Sequence, residues 1–160
     1  MQSLSGLLLA LFLIVHSFVV GSLLLGPAVF EAVVGFTDGR WLFGHPVPVL
    51  HSVVAGLVTV LVAIHAALAL RKFPEGYREH RAFREHARAM HHSDTSLWYW
   101  QVVTGFLMFF LLSVHLFTVI LQPDRIGPVE AATRIVQGRY WLLYLLLTPV
   151  VQFHSLVGLY

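Results

Sequence analysis

The sequence predicts an all-α membrane protein with four transmembrane helices, and three observations predict it. Of 160 residues, 58% are hydrophobic and 11% are charged, whereas a soluble domain carries roughly 25% charge. The charges are segregated: 1–30, 41–70, 95–123 and 140–160 contain no Asp, Glu, Lys or Arg, and all 18 charged residues lie in 31–40, 71–94 and 124–139. Each uncharged stretch is long enough for the ~20 apolar residues that cross a bilayer at 1.5 Å per residue. Runs such as Leu7–Val15 do not alternate as barrel strands do. These features exclude a soluble enzyme, and a net charge of +2 gives no sign of nucleic-acid binding. With no cysteine, disulfides, iron–sulfur clusters, thiolate metal sites and covalent c-type haem are excluded as well.

The first predicted span is 4–25. It has no basic n-region and exceeds a signal peptide's 7–15-residue apolar core. A short loop whose one Lys or Arg is Arg40 leads to the second span, 47–70. The connector 71–94 holds Arg71, Lys72, Arg78, Arg81, Arg84 and Arg88, six of the ten Lys and Arg residues. The positive-inside rule places it in the cytoplasm, together with both chain termini. Within it Phe83, Ala87 and Met90, at i, i+4 and i+7, mark a surface helix that serves as a solvated connector or a docking face. The third span, 97–121, opens on Trp98, Tyr99 and Trp100 at the interface, with Asp94, Thr95 or Ser96 as its N-cap. The fourth, 140–160, opens on Tyr140 and Trp141. The chain reads as one transmembrane domain, 1–160, without an internal repeat.

Ten histidines are many for so apolar a chain, and four lie deep in the spans, one per helix: His16, His65, His115 and His154. Ionisable groups at membrane depth are costly and usually face a bundle interior. At 1.5 Å per residue, His65 and His154 lie roughly 8–9 Å from the cytoplasmic ends of their helices, and His16 and His115 roughly 18 and 27 Å from theirs. Each depth class joins two helices that run in the same direction. Two imidazoles facing each other across a bundle suit an axially ligated haem iron. A structural zinc site would need four ligands at one depth. Two b-type haems stacked across the membrane would form an electron wire. His51 precedes His65 by 14 residues and shares its helix face. No second helix repeats that pair, since Gln101 and Tyr140 stand at the equivalent places. One histidine per helix therefore fits better. His80, His86, His91 and His92 read as solvated. A haem-free transporter relaying protons through the deep histidines is the other class of reading.

The segments "HAALALRKFPEGYR", "HSDTSLWYWQVVTGFLMFFLLSVHLF", "QPDRIGP" and "HSLVGLY" resemble the di-haem cytochrome b membrane subunit of quinol:fumarate reductases and succinate:quinone oxidoreductases. The resemblance implies two haem b groups, with His65 and His154 on the proximal iron and His16 and His115 on the distal one. It implies propionate contacts from Gln2, Ser3, Lys72 and Trp98 at the cytoplasmic side and from Arg134 at the outer side. It also implies an iron–sulfur subunit and a flavoprotein subunit on the cytoplasmic face of a bacterial inner membrane, menaquinol as the quinone substrate, and a dimer of the whole complex. Electrons would pass between quinone and the succinate/fumarate couple on a partner chain. The family places a carboxylate where Asp38 stands, one methylene longer as Glu in a close relative, which makes Asp38 the candidate acceptor of quinol protons; Glu31, His45 and His51 are weaker candidates. Some members carry Glu two residues before the fourth histidine, implicated in proton movement. Gln152 stands there and cannot exchange a proton as a carboxylate does. The family's fifth helix is expected to be missing because the sequence is a fragment. A di-haem cytochrome b of a hydrogenase or formate dehydrogenase is the alternative within the class.

Overall fold

The computed structural model describes residues 2–72, 76–90 and 93–160. Four long apolar helices dominate it: α1 (Gln2–Gly21), α4 (Val49–Leu70), α6 (Ser93–Leu121) and α8 (Trp141–Leu159). All four are long and apolar enough to span a membrane. Among the described residues there is no strand, as a bilayer requires of a chain that does not close a barrel. The chain belongs to the multi-pass class that the segregated charges predict.

Consecutive spans are antiparallel neighbours. α4 packs on α1 and α6, and α8 packs on α6 and α1, closing a four-membered ring. α1 therefore faces α6 across the bundle, and α4 faces α8. Small and medium side chains meet at the contacts: Ser5, Ala10, Ala55, Val58, Thr104, Leu116, Thr118 and Leu147 are buried, and no large side chain is fully buried among the described residues. Small residues at helix contacts let backbones approach where lipid removes the hydrophobic drive to associate. Large apolar side chains such as Phe18, Phe106 and Phe117 point outward, toward acyl chains. Pro149 lies inside α8, a placement that spanning helices tolerate better than soluble ones.

The two ends of the bundle differ. At the near end, which carries Gln2 and Leu70, the connector forms α5 (Tyr77–Met90). The side chains of Phe83, Ala87 and Met90 lie outside the described residues, so the expected stripe is a helix in backbone only. At the far end the connections fold into α2 (Pro27–Thr37), α3 (Arg40–Phe43) and α7 (Pro128–Val136), with α2 packed on α7 and on α1. The sequence reading took these segments as loops. α2 and α7 each begin with a proline just after a glycine, Gly26–Pro27 and Gly127–Pro128, a preorganised first helical position. α1 tightens into a 3₁₀ turn, Ser22–Leu25, before that break. One expectation is corrected: Asp94, Thr95 and Ser96 do not cap the third span but lie inside α6, which already includes Ser93. That start puts all three in the first helical turn, ahead of the aromatic belt at Trp98–Trp100.

Candidate functional site

The four deep histidines converge in two pairs on the two diagonals of the ring. His16 on α1 and His115 on α6 form the far-end pair. Their ring centres are 5.9 Å apart and their planes meet at 62°. Two imidazoles on opposite sides of one ion, each through a bond of about 2.0 Å, have ring centres roughly 6 Å apart. His65 on α4 and His154 on α8 form the near-end pair, within Coulombic reach of each other. The pairing by depth that the sequence predicts is thus the pairing by diagonal.

The remaining ring nitrogens explain how three of these rings are held. Ser5 Oγ donates to the Gln2 carbonyl at 2.8 Å and lies 3.0 Å from His65 Nδ1. Its single proton is committed to the carbonyl, so the imidazole must donate and Nδ1 carries the hydrogen. Thr104 repeats the arrangement: its hydroxyl donates to Trp100 O at 2.7 Å and lies 3.0 Å from His154 Nδ1. Both rings therefore keep the Nε2 lone pair for a metal. At the far end the Tyr144 hydroxyl approaches His115 Nδ1 at 3.4 Å, and Arg134 lies within hydrogen-bonding reach of that hydroxyl. His16 instead stacks on Phe12, with ring centres 5.5 Å apart. Metal-bound histidines commonly donate their other N–H to an oxygen, which fixes tautomer and orientation. Ser5, Thr104 and Tyr144 escaped the sequence reading, because a hydroxyl on an apolar helix has several uses and only its neighbour reveals which applies.

Among the described residues no cluster of three or more His, Cys, Asp or Glu side chains could hold a bare ion. Two neutral imidazoles per ion fit instead a group that brings its own equatorial ligands, as haem does. The Gln101 carboxamide donates to His154 Nε2 at 3.3 Å, so iron bound there requires that side chain to swing aside. The carboxamide oxygens of Gln2 and Gln101 are buried with no hydrogen-bond partner among the described residues.

The other predicted residues fall at the expected ends. Gln2 and Ser3 open α1, Lys72 follows α4, and Trp98 is in the first turns of α6, all at the near end, while Arg134 on α7 is at the far end. Ser3 and Lys72 are exposed; Gln2, Trp98 and Arg134 are half-buried. Asp38 is not a free loop carboxylate. It is 4% exposed, pairs with the Arg40 guanidinium at 3.1 Å and accepts the Arg40 backbone N–H at 2.9 Å. His51 stands within reach of its charge. Thr37 Oγ donates to Val34 O and lies 3.2 Å from His51 Nε2, and the Pro48 carbonyl lies within hydrogen-bonding reach of the same ring. Glu31 is exposed on α2 beside a shallow cleft that Arg40 and Trp41 also line. His45 is exposed in the loop after α3. Gln152 donates to Ser17 Oγ at 3.4 Å, linking α8 to α1. Of the connector histidines, His91 and His92, and the side chains of His80 and His86, lie outside the described residues.

An antiparallel ring of four spanning helices, each giving one imidazole to pairs that cross both diagonals at two depths, defines a bis-histidine membrane bundle. The sequence profile described as "Succinate dehydrogenase/Fumarate reductase transmembrane subunit" matches residues 77–160. The chain belongs to that family. Among its relatives, fumarate reductase cytochrome b subunits of two Helicobacter pylori strains are 44% and 46% identical, each covering 100% of this chain and 63% of the relative. The fumarate reductase cytochrome b subunit of Wolinella succinogenes is 44% identical, covering 99% of this chain and 62% of the relative. The chain thus spans a little under two thirds of the length of these curated relatives.

Proposed function

We propose that this chain is the quinone-reactive cytochrome b anchor of a fumarate reductase or succinate dehydrogenase complex, with two b haems. One observation carries the reading: two diagonal histidine pairs at two depths, in a chain 44–46% identical along essentially its whole length to named fumarate reductase cytochrome b subunits. His65 and His154 hold the near-end haem iron; His16 and His115 hold the far-end one. Bis-imidazole haem leaves no open coordination position and supplies one-electron transfer when bound. The protein's part is to fix ring tautomer and depth, exclude water with an apolar shell, and anchor the propionates. Gln2, Ser3, Lys72 and Trp98 do so at the near end and Arg134 at the far end, as donors or cations for carboxylates.

The near end faces the cytoplasm of a bacterial inner membrane, because the arginine-rich α5 lies there. The iron–sulfur and flavoprotein subunits dock on it, and the dicarboxylate site is on the flavoprotein. Menaquinol is oxidised at the far end, where its two protons need acceptors. Asp38 is the principal candidate, and the His51 imidazole beside it is the nearest second one; Glu31 and His45 lie further toward solvent. The expected result, on protein purified from membranes, is a reducible b-type difference spectrum with two haems per chain and co-purifying flavoprotein and iron–sulfur subunits. No b-type spectrum, or clearly fewer than two haems, overturns the reading. A hydrogenase or formate dehydrogenase partner overturns its choice of complex.

A further inference from the structure

The two near-end histidines sit in the same local structure, built twice from one pattern. α1 carries Gln2-x₂-Ser5-Gly6-x₉-His16, and α6 carries Gln101-x₂-Thr104-Gly105-x₉-His115. The helices that follow each around the ring carry Thr59-x₅-His65 and Thr148-x₅-His154. The sequence reading found no internal repeat, since leucine-rich helices resemble each other anywhere. The geometry shows the repeat to be spatial. A Cβ at Gly6 would stand 3.2 Å from His65 Cε1 and 3.7 Å from its Nδ1; a Cβ at Gly105 would stand at the same two distances from His154. Ser5 and Thr104 both sit 3.0 Å from Nδ1, both are buried, and both donate their own proton to a carbonyl one turn back. The Gln2 and Gln101 carbonyls also lie in hydrogen-bonding range of the two rings. Hairpins α1–α4 and α6–α8 are therefore parallel repeats about an axis along the membrane normal.

We infer that Ser5 and Thr104 are twin positioning residues for the near-end haem ligands, each fixing the histidine of the neighbouring helix as the Nδ1–H tautomer. Gly6 and Gly105 let the ring edge lie against the backbone so that the hydroxyl one residue earlier reaches Nδ1. The repeat stops at the far end. Position 144 of the second hairpin is Tyr, bonded to His115, while its counterpart in the first is Ala55, so His16 receives no equivalent hydroxyl. This inference rests on the haem reading above. An oxygen accepting from Nδ1–H makes the imidazole a more basic ligand, which favours the oxidised ion and lowers its midpoint potential. Loss of either hydroxyl should raise the near-end midpoint.

The test uses the whole complex carrying Ser5→Ala, Thr104→Val, or both, with Ser5→Thr and Thr104→Ser as conservative controls. Redox titration of the two haems, resolved optically and by EPR, is combined with haem retention. Each hydroxyl deletion is expected to raise the near-end midpoint by a similar amount and to weaken near-end haem affinity roughly 10-fold. The double variant should shift by about the sum, the controls should restore the wild-type values, and the far-end haem should not move. An unchanged near-end midpoint and affinity in a two-haem complex overturns the inference and leaves the haem reading standing. So does an equal shift of both haems, which is general loosening. A wild-type complex without haem overturns the haem reading itself. Should the variants fail to assemble, ¹⁵N-histidine solid-state NMR of the wild-type complex decides: two hydrogen-bonded Nδ1–H donors at the near end support the assignment, and a near-end Nδ1–H without an acceptor overturns it.

Discussion

The near-end and far-end histidine pairs use the same ligand on the same kind of helix, yet they are held differently. At the near end both rings are oriented from within the spans, by Ser5 and Thr104 on neighbouring helices. At the far end His115 relies on Tyr144, with Arg134 of α7 behind it, and His16 on the face of Phe12. The near end is a symmetric fitting built twice within the bundle, whereas the far end adds Arg134 of the folded connection α7 on one side only.

The largest expected effect breaks the comparison at its root. His65→Ala should remove the near-end haem while the far-end one is largely retained, and His16→Ala should do the reverse. Haem content by pyridine haemochrome assay, with the difference spectrum, should fall from two to about one per chain in each case. Loss of both haems from either change would mean that the two pairs form one cooperative unit.

Much of this arrangement was legible in the sequence, and the rest was hidden for definite physical reasons. Charge expulsion located all four spans, because a bilayer penalises charge so heavily that the signal survives without periodicity. Depth arithmetic paired the histidines, because rise per residue is fixed in a spanning helix. The hydroxyls at Ser5, Thr104 and Tyr144 stayed hidden, because their partners lie on other helices. So did α2 and α7, each short and opening on a Gly–Pro break. Asp38 reads from the sequence as a residue of the connection between the first two spans, but its burial against Arg40 depends on the α2–α3 turn, which no local pattern announces.

The next effect concerns the far end alone. Tyr144→Phe removes the only hydroxyl recorded against His115 among the described residues while keeping the ring that packs at 5.8 Å. Far-end haem retention should drop roughly 10-fold, the lower bound for losing such a partner, with near-end retention unchanged. Haem release followed during dilution in detergent reads both. An equal loss at both ends would mean that Tyr144 acts on the whole bundle.

A smaller effect is expected where the far end depends on its turn. Gly39 has φ +79°, and a Cβ there would stand 2.8 Å from Leu50 Cδ1 and 3.0 Å from Phe43. Gly39→Ala should cost about 1–2 kcal/mol from the left-handed backbone alone, with the Leu50 contact adding to it. Because Asp38 and Arg40 flank this glycine, the proposed quinol oxidation should weaken along with thermal stability, while the near-end haem keeps its spectrum and midpoint.

The smallest effect tests whether the far ends of the spans are tied directly to each other. Ser52 Oγ of α4 donates to the Ile120 carbonyl of α6 at 3.0 Å. Ile120 lies in the last turn of α6, where carbonyls have no partner within the helix, so the serine satisfies a terminal acceptor from the neighbouring span. Interhelical hydrogen bonds inside membranes contribute about 0.6 kcal/mol on average, and Ser52→Ala should lower stability by about that much. Its diagnostic value lies in where the loss falls. Hydrogen exchange should quicken at the start of α4 and the end of α6, while the helix ends around His65 and Thr104 stay protected. Uniform quickening along α4 would mean that the two ends open together, and that the difference between the pairs is confined to the rings and does not extend to the helices that carry them.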